Sequence, residues 1–299
     1  MKKRIALDLG GTKTEIILCG ENPLEVILKK RVPTGQDLGY GHILTQTIEL
    51  IQEFRQECEK PPSIGIGIPG TISPLSGLIK NSNSQCLIGK PFQEDLQQAL
   101  GQKIFMENDA NCFALAEATY GAGQGKELVL GVIMGTGMGG GIIHQGKIWK
   151  GASGIGGEWG HSTVDYQGPK CWCGRRGCLE SYLSGPALEA HYQKISGNPI
   201  PLAEIYQKWL AGDLIAREVL DEMLMIFGEG LANIISSFDP DLVVIGGGVS
   251  NLPILYKEGV AQVEKRLFDD RLTTPIVQNQ LGDSAGIYGA ALLADLMES

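Results

Sequence analysis

Short apolar runs alternate with amphipathic stretches along the chain, and several of the apolar runs end in glycine. The run at 4–9 passes through Gly10-Gly-Thr-Lys13 into a second run at 14–19, which predicts two strands joined by a tight turn. The same arrangement returns about 125 residues further along, where a run at 127–134 leads into a glycine-rich turn at 135–141. This recurrence predicts two related halves.

The rest of the chain alternates between predicted strands and predicted helices. Apolar or period-two runs predict strands, and apolar residues three and four apart predict helices. The predicted strands lie at 4–9, 14–19, 25–32, 63–68, 103–107, 127–134, 142–144, 242–245 and 275–278, and the predicted helices at 38–59, 91–100, 110–122, 186–195, 201–210, 213–237, 252–268 and 284–297. The alternation indicates a mostly parallel, layered α/β architecture. The stretch from about 146 to 185 has no clear period and is too long for an idle loop, so we expect it to be functional or held by a ligand.

Composition narrows the class of protein. The chain has 299 residues, of which 43% are hydrophobic and 20% charged, as in globular proteins. A net charge of −9 without any basic run argues against nucleic acid or a membrane surface as a general partner. No apolar signal core follows Met1-Lys-Lys-Arg4, and no apolar run approaches the ~18 residues of a membrane span. We therefore expect a cytoplasmic protein.

A histidine and three cysteines form a candidate metal site. The candidate ligands are His161, Cys171, Cys173 and Cys178. A Cys₃His set suits a closed tetrahedral Zn²⁺ site, and four protein ligands leave no open position for hydrolytic chemistry. A disulfide or free thiols are the alternative, whereas the other four cysteines are interpreted as reduced core thiols. Glu158 and Glu180 flank the ligands, and a purely structural zinc loop needs no such carboxylates, so they indicate a site that binds something.

Three glycine turns at strand ends indicate phosphate binding. Their backbone N–H groups can cradle phosphate oxygens, although any one of them alone is more often a structural turn. The candidate nucleotide-binding residues are Asp8, Gly10, Gly11, Thr12, Lys13, Gly135, Thr136, Gly137, Gly139, Gly140, Gly247 and Gly248. The spacing of Gly135, Gly137 and Gly140 matches G-x-G-x-x-G, but a strand follows instead of a helix, and a P-loop is absent. Asp8 is placed to face a Mg²⁺ ion, with turn capping as the alternative.

Two polar segments follow predicted strands and are candidates for substrate binding. In Glu107-Asn-Asp109, Asn108 or Asp109 is expected to cap the following helix, and a carboxylate at this junction can also accept a proton from a substrate hydroxyl. The amides and hydroxyls of Lys80-Asn-Ser-Asn-Ser84 suit a polyol, although loops are commonly rich in such residues.

With these motifs the chain resembles the ROK family of sugar kinases and repressors. The matching motifs, in family order, are Asp8-Leu-Gly-Gly-Thr-Lys13, Gly67-Ile-Pro-Gly70, Glu107-Asn-Asp-Ala-Asn-Cys112, Gly135-Thr-Gly137, Glu158-Trp-Gly-His161, Cys171-Trp-Cys-Gly-Arg-Arg-Gly-Cys-Leu-Glu180 and Asp241-Leu-Val-Val-Ile-Gly-Gly-Gly248. They span nearly the whole chain. The resemblance implies an α/β, actin-like (ribonuclease H-like) ATPase fold, with two related α/β domains, a cleft between them and a structural zinc loop.

The resemblance also implies domain boundaries and ligands. A smaller N-terminal domain would comprise 1–120 and a C-terminal helix at about 285–299, and a larger C-terminal domain would comprise 121–284. ATP would bind with Mg²⁺, its phosphates at the two hairpins and its adenosine near Gly246–Gly248. Members are commonly homodimers, so a homodimer is expected.

At matching positions the resemblance implies roles for individual residues. Asp109 would be the general base, and zinc would be held by His161 and the three cysteines. The residues implied to bind the sugar are Asn83, Asn108, Glu158, His161, Glu180 and Gly70. His161 would act twice, with one ring nitrogen on zinc and the other facing the sugar.

The implied reaction is transfer of the γ-phosphate of ATP to the 6-hydroxyl of a hexose. The motifs look most like those of bacterial fructokinases that also accept mannose, because Gln85 stands where N-acetylglucosamine kinases usually have proline. Fructose is therefore the expected substrate, with glucose or N-acetylglucosamine as alternatives. A sugar-responsive repressor is a rival class, but such repressors carry a DNA-binding segment ahead of the first strand, which begins here at Arg4. A sugar-binding module without catalysis is a third interpretation.

Overall fold

The chain folds into two compact units. The computed structural model describes residues Lys3–Glu298. The first unit comprises the residues up to Thr119, Gly146–Gly156 and those from Asp283 onward, and the second comprises Tyr120–Gln145 and Gly157–Gly282. Residues 146–156 thus pack with the first unit, whereas the sequence-based boundaries placed them in the second. None of the helices within Lys3–Glu298 has the length and apolar character needed to cross a membrane.

The secondary structure follows the alternation expected from the sequence. The strands are β1 (Arg4–Leu9), β2 (Lys13–Cys19), β3 (Val26–Pro33), β4 (Ser63–Ile68), β5 (Thr71–Ile72), β6 (Ile79–Lys80), β7 (Phe105–Asn108), β8 (Leu128–Met134), β9 (Met138–His144), β10 (Lys147–Ile148), β11 (Leu242–Gly246) and β12 (Ile276–Gln278). The helices are α1 (Tyr40–Arg55), α2 (Phe92–Leu100), α3 (Asp109–Tyr120), α4 (Glu180–Leu183), α5 (Gly185–Ser196), α6 (Leu202–Leu210), α7 (Leu214–Phe238), α8 (Glu258–Glu264) and α9 (Ala285–Glu298).

A sheet in the order β3-β2-β1-β4-β7 forms the centre of the first unit. β1 runs antiparallel to β2, with Arg4 opposite Cys19 and Leu9 opposite Thr14. β4 is parallel to both β1 and β7. Apolar side chains of β1, β2 and β4 pack with those of α1 and α2 in one buried cluster. Three parallel strands therefore end at the same edge of this sheet.

The second unit repeats this topology. Its sheet contains the order β9-β8-β11-β12, in which β8 is antiparallel to β9 and parallel to β11, and β11 is parallel to β12. The buried face of α7 packs into its core. An antiparallel hairpin followed by two parallel strands occurs in both units, so the recurrence in the sequence corresponds to a repeated sheet.

Two segments differ from the sequence-based expectation. β9 begins at Met138, because Gly139, Gly140 and Gly141 pair with β8 as strand residues instead of extending the turn. The single helix expected at 252–268 is broken into a 3₁₀ turn at Pro253–Tyr256 and the short helix α8. Pro253 lacks a backbone N–H and fixes its own φ, which favours a new turn at this point. The short elements β5, β6, β10 and α4 were not expected.

Helix α9 packs against the first sheet at backbone contact distance. A Cβ atom on Gly289 would lie 1.8 Å from the carbonyl oxygen of Cys112, and one on Gly65 would lie 1.8 Å from the carbonyl oxygen of Ala290. Neither site has room for a methyl group, because the obstructing atoms belong to the backbone. The two glycines therefore set how closely α9 approaches α3 and β4.

Replacing Gly289 by alanine is expected to lower the free energy of unfolding by about 1–3 kcal/mol, because α9 must shift away from α3. The matched control is Gly41→Ala in α1, where a Cβ atom would meet nothing within 4 Å. There we expect a gain of about 0.5–1 kcal/mol from helix propensity. Urea titration of both variants tests this, and equal midpoints for the two would contradict the packing argument.

Candidate active site

Two carboxylates meet at the shared edge of the first sheet. Asp8 lies near the end of β1, and Asp109 is the first residue of α3, directly after β7. Gly67 of β4 pairs with Asp8 on one side and with Glu107 on the other. A Cβ atom on Gly67 would lie 3.5 Å from Asp8 Oδ1 and 3.9 Å from the Cα atom of Asp109. The absence of a side chain at Gly67 thus leaves Asp8 and Asp109 on either side of one small residue.

The surroundings of Asp8 favour a bound cation. Burial, followed by the negative charges of Asp109 and Glu15, raises the pKa of Asp8 from 3.8 to about 7. Glu15 lies opposite Asp8 in the hairpin, and Lys29 Nζ lies 2.7 Å from Glu15 Oε1. A divalent cation beside Asp8 would offset the remaining repulsion, and carboxylate oxygens are ligands that Mg²⁺ prefers.

Asn108 joins the helix start to a neighbouring loop. Its Oδ1 atom accepts hydrogen bonds from the N–H groups of Ala110 (2.9 Å) and Asn111 (3.2 Å) at the start of α3. Its Nδ2 group donates to the carbonyl oxygen of Gly70 at 3.0 Å. Asn108 therefore caps the helix, and its side chain keeps one N–H for a ligand. Asn83 is exposed on the loop after β6.

A buried carboxylate, Glu107, supports the start of α3 and pairs with the half-exposed Lys150. Glu107 Oε1 accepts hydrogen bonds from Asn108 N (2.9 Å) and Asn111 Nδ2 (3.1 Å). Glu107 Oε2 lies 2.6 Å from Lys150 Nζ. Sequence reasoning missed Lys150, which lies in the stretch without periodicity and carries no motif of its own. The pair ties the residue before Asn108 and Asp109 to segment 146–156.

The first glycine turn is closed by a hydrogen bond from Gly10 N to the carbonyl oxygen of Lys13 at 3.0 Å. Thr12 and Lys13 are exposed at this turn. The next residue, Gly11, lies near Ser84. A Cβ atom at Gly11 would be 3.9 Å from Ser84 Oγ. The turn therefore places backbone groups and the exposed Lys13 side chain near Asp8.

The second and third glycine turns lie side by side in the second unit. Gly135 N donates to the carbonyl oxygen of Gly137 at 2.9 Å. A Cβ atom on Gly247 would lie 2.4 Å from the carbonyl oxygen of Met134 and 3.1 Å from Gly135 N. Thr136 is exposed, and Gly248 begins a 3₁₀ turn. Two of the predicted phosphate or adenosine segments are therefore brought together.

Gly139 and Gly140 lie in a strand, whereas their spacing in the sequence suggested a phosphate-binding turn. Both lie inside β9, and a Cβ atom on Gly140 would come within 2.5 Å of Trp159 Nε1 and 2.6 Å of the carbonyl oxygen of Gly157. Gly140 therefore allows the segment ahead of His161 to pack on the sheet. This close packing explains the glycine without a bound phosphate.

The histidine and three cysteines predicted as metal ligands converge in the second unit. One potential ligand atom from each lies within 4.8 Å of all the others. His161 Nδ1 is 3.6 Å from Cys171 Sγ, and Cys173 Sγ is 3.6 Å from Cys178 Sγ. With Zn–S bonds of about 2.3 Å, a tetrahedral site has S–S edges of about 3.8 Å. All seven cysteines are free thiols, so the disulfide alternative is not realised. The residues thus fit a tetrahedral cation.

A tight hairpin holds these ligands together. Thr163 bridges to Cys178, and Lys170 bridges to Arg176. Gly177 has φ +59°, and a Cβ atom there would lie 1.7 Å from the carbonyl oxygen of Asp165, so only glycine fits. Burial, together with the neighbouring thiols, raises the pKa of the Cys178 thiol well above its ordinary value. A bound cation would stabilise the thiolate form of such a thiol.

Glu180 lies between the metal cluster and the second glycine turn. Its Oε2 atom accepts a hydrogen bond from Met138 N at 2.9 Å, and its Oε1 atom accepts one from Trp172 Nε1 at 2.6 Å. The Trp172 ring also meets the His161 ring edge to face, with centroids 5.0 Å apart. Sequence reasoning missed Trp172, although its position between two cysteines was a signal. Glu158 directly precedes the 3₁₀ turn that contains His161.

Comparison with known proteins agrees with these motifs and this fold. A model of the ROK family matches residues 4–296. The chain belongs to the ROK family.

Relatives and solved structures match along almost the full length. An N-acetyl-D-glucosamine kinase from Mannheimia succiniciproducens is 35% identical over 297 residues, which cover 96% of this chain and 97% of that relative. The crystal structure of a ROK hexokinase from Thermus thermophilus has a TM-score of 0.86 at 34% identity, covering 99% of this chain and 100% of that one. A ROK family glucokinase from Streptomyces griseus, in complex with glucose and AMPPNP, has a TM-score of 0.82 at 29% identity, covering 97% and 98%.

These matches confirm the ROK resemblance and the actin-like sugar kinase fold inferred from the motifs. They do not support the finer expectation of a fructokinase, since curated relatives at 35% identity are N-acetyl-D-glucosamine kinases. The structure supplies a reason. Gln85 Nε2 donates to the carbonyl oxygen of Ser82 at 3.2 Å and so braces the loop by itself. A missing proline at this position therefore carries little information about the sugar.

Replacing Asp8 by asparagine is expected to stabilise the metal-free protein in a pH-dependent way. Because folding raises the pKa of Asp8 from 3.8 to about 7, the folded state opposes ionisation of this carboxyl group. The resulting loss of folding free energy begins near pH 3.8, grows as the pH rises and reaches its full size above about pH 7. We expect Asp8→Asn to raise the unfolding free energy by about 4 kcal/mol at pH 8 and by only about 1 kcal/mol at pH 4.5.

Thermal melts in EDTA at the two pH values measure this effect, with Asp37→Asn on the exposed surface of the same unit as the control. A gain from Asp8→Asn that is the same at both pH values would show that folding does not raise the pKa of Asp8.

Proposed function

We propose that the protein is an ATP-dependent sugar kinase that transfers the γ-phosphate to the 6-hydroxyl of a hexose, with N-acetyl-D-glucosamine as the first candidate. The observation that carries this is the placement of Asp8 and Asp109 on either side of Gly67, in the unit that also presents the first glycine turn. Family membership and full-length similarity to sugar kinases support the same assignment.

Asp109 is assigned as the general base. It lies at the start of α3, where Ala110 N donates to its Oδ1 atom at 2.8 Å and so fixes the carboxylate. Its carboxylate accepts the proton of the sugar hydroxyl as that oxygen attacks phosphorus, and the proton moves late because a hydroxyl is a weak acid. Such help is typically worth ~10²–10⁴ in rate.

The nucleotide is assigned to the glycine turns. Their N–H groups and the Lys13 ammonium bind phosphate oxygens, and Asp8 holds the metal ion. When bound, Mg²⁺ neutralises charge on the phosphates. The adjacent turns at Gly135 and Gly247 bind the remainder of the nucleotide.

Sugar hydroxyls are assigned to the residues at the positions of the family motifs. In the first unit these are Asn83, Asn108 and the Gly70 segment that Asn108 holds. In the second unit they are Glu158, His161 and Glu180. The Nδ1 atom of His161 faces the cysteine thiols, which leaves its Nε2 atom for a sugar hydroxyl.

A coupled ADP-release assay over N-acetylglucosamine, N-acetylmannosamine, glucose, mannose and fructose tests the proposed function. We expect the highest kcat/KM with N-acetylglucosamine. Asp109→Asn is expected to lower kcat by ~10²–10⁴ while the protein still binds sugar, because the amide cannot take the proton.

Asp37→Asn is the control for loss of an exposed carboxylate in the same unit, and it is expected to keep wild-type kcat. Turnover of none of the five sugars would contradict the kinase assignment, and a near wild-type rate in Asp109→Asn would contradict the role of Asp109. A higher kcat/KM for fructose would restore the fructokinase interpretation.

We further propose that His161, Cys171, Cys173 and Cys178 hold a structural Zn²⁺ ion. The support is the mutual distance of their ligand atoms and their Cys₃His composition. In this role the ion fixes the His161 ring and closes the hairpin that leads to Glu180, and it takes no part in the transfer step.

Cys178→Ser is expected to reduce the metal content from about one zinc per chain to less than half, and to lower the melting temperature and the affinity for sugar together. Cys86→Ser, a partly exposed thiol outside the cluster, is the control and should change none of the three. Elemental analysis, thermal melts and calorimetric titration give the readouts. Full zinc content in Cys178→Ser would remove this residue from the ligand set.

A further inference from the structure

Trp172 has an unusual combination of exposure and polar contacts. It lies between Cys171 and Cys173, whose sulfur atoms face the metal cluster, and 55% of its side-chain surface is exposed. Its indole N–H nevertheless donates a 2.6 Å hydrogen bond to Glu180 Oε1. A large aromatic side chain left in solvent gains little from burial, so hydrophobic packing does not account for its position.

The contacts of Trp172 are with two residues assigned to sugar hydroxyls. Besides the hydrogen bond to Glu180, its ring packs on the His161 ring with an interplanar angle of 86°. The other oxygen of Glu180 is bound by Met138 N. Trp172 therefore helps to fix the Glu180 carboxylate, together with Met138 N and the Cys171 thiol, whose Sγ lies 3.8 Å from Glu180 Oε1. Its ring also packs against the imidazole of His161.

We propose that Trp172 is a positioning residue for sugar recognition, which orients the Glu180 carboxylate through its N–H and the His161 ring through its edge. This inference rests on the proposed function and adds a determinant of sugar affinity to it. The hydrogen bond to a charged acceptor fixes the carboxylate before the sugar arrives, so less conformational entropy is lost on binding. The exposed part of the indole then lies next to the bound sugar.

This role predicts a selective effect on the sugar. In Trp172→Phe the ring remains but the N–H is lost, so we expect the KM and the dissociation constant for the sugar to rise by about 10-fold or more. KM for ATP should stay within about twofold, because the glycine turns are unchanged. Wild-type zinc content and melting temperature are expected, since Phe leaves the cysteines in place.

The chain offers a matched control in the same unit. Trp209 Nε1 donates to Asp221 Oδ1 at 3.0 Å, so Trp209→Phe removes an equivalent bond from a partly exposed tryptophan away from the cluster. We expect wild-type KM values for this variant. Trp172→His, which keeps an aromatic N–H, is expected to recover part of the sugar affinity lost in Trp172→Phe.

Fluorescence gives a readout that a purely structural role would not produce. The chain has 4 tryptophans, and sugar bound next to Trp172 removes water from its ring. We expect the sugar of the panel that binds most tightly in calorimetric titration to shift the tryptophan emission of wild type and of Trp209→Phe, and most of this shift to be absent in Trp172→Phe.

Several outcomes would overturn the proposal: a sugar KM in Trp172→Phe equal to that of Trp209→Phe, an undiminished emission shift in Trp172→Phe, or loss of zinc in that variant, which would assign Trp172 to the cluster alone. Failure of the proposed function is seen separately, as an absence of turnover in wild type. Calorimetric titration and emission do not need turnover, so they test Trp172 in either case.

Discussion

The burial of neighbouring carboxylates at the edge of the first sheet, together with the repulsion among them, is the constraint around which this unit is arranged. Asp8, Glu15, Glu107 and Asp109 all lie on or beside strands β1, β2 and β7, and the effect is visible in the raised pKa of Asp8. Each carboxylate with a fixed structural partner is held by cations from outside these strands, Glu15 by Lys29 and Arg31 and Glu107 by Lys150. Asp8 and Asp109 are the two carboxylates that the proposed function assigns to the metal ion and to proton transfer, whereas Glu15 and Glu107 pair with lysine or arginine side chains.

The second unit uses the same sheet topology with different chemistry at its edge. Its hairpin is β8 and β9, and beside it lie a cluster of thiols and imidazole and two adjacent glycine turns. In this unit one closed hairpin holds the clustered side chains in place, because Gly177 and the bridge from Thr163 to Cys178 fix its backbone. A repeated scaffold therefore carries a pair of carboxylates in one unit and a loop with clustered thiols and imidazole in the other, which fits function residing in sites added to a fold.

Much of this arrangement was predictable from the sequence, because strands, glycine turns and motif cysteines are local signals. The strand positions, the convergence of His161 with the cysteines and the junction at Asn108 all followed from short patterns. The features that the motifs did not indicate depend on particular side-chain contacts. Gly140 makes room for Trp159, Lys150 pairs with Glu107, and Trp172 donates to Glu180. The spacing of residues in the sequence does not reveal any of these partners. The expectation of fructose, which the relatives do not support, depended on the single position Gln85, whose side chain donates to Ser82 in the same loop.

The close packing of α9 has a consequence for synthesis of the chain. β1, β4 and β7 are among the first strands to be made, yet α9, which contacts all three, is encoded from Ala285 onward. The face of the first sheet that packs against α9 therefore stays uncovered while the second unit is translated. At ~5–20 residues per second, this translation takes many seconds. During that interval the nascent chain carries an aggregation-prone surface. The first unit can therefore complete its packing only after α9 has left the ribosome.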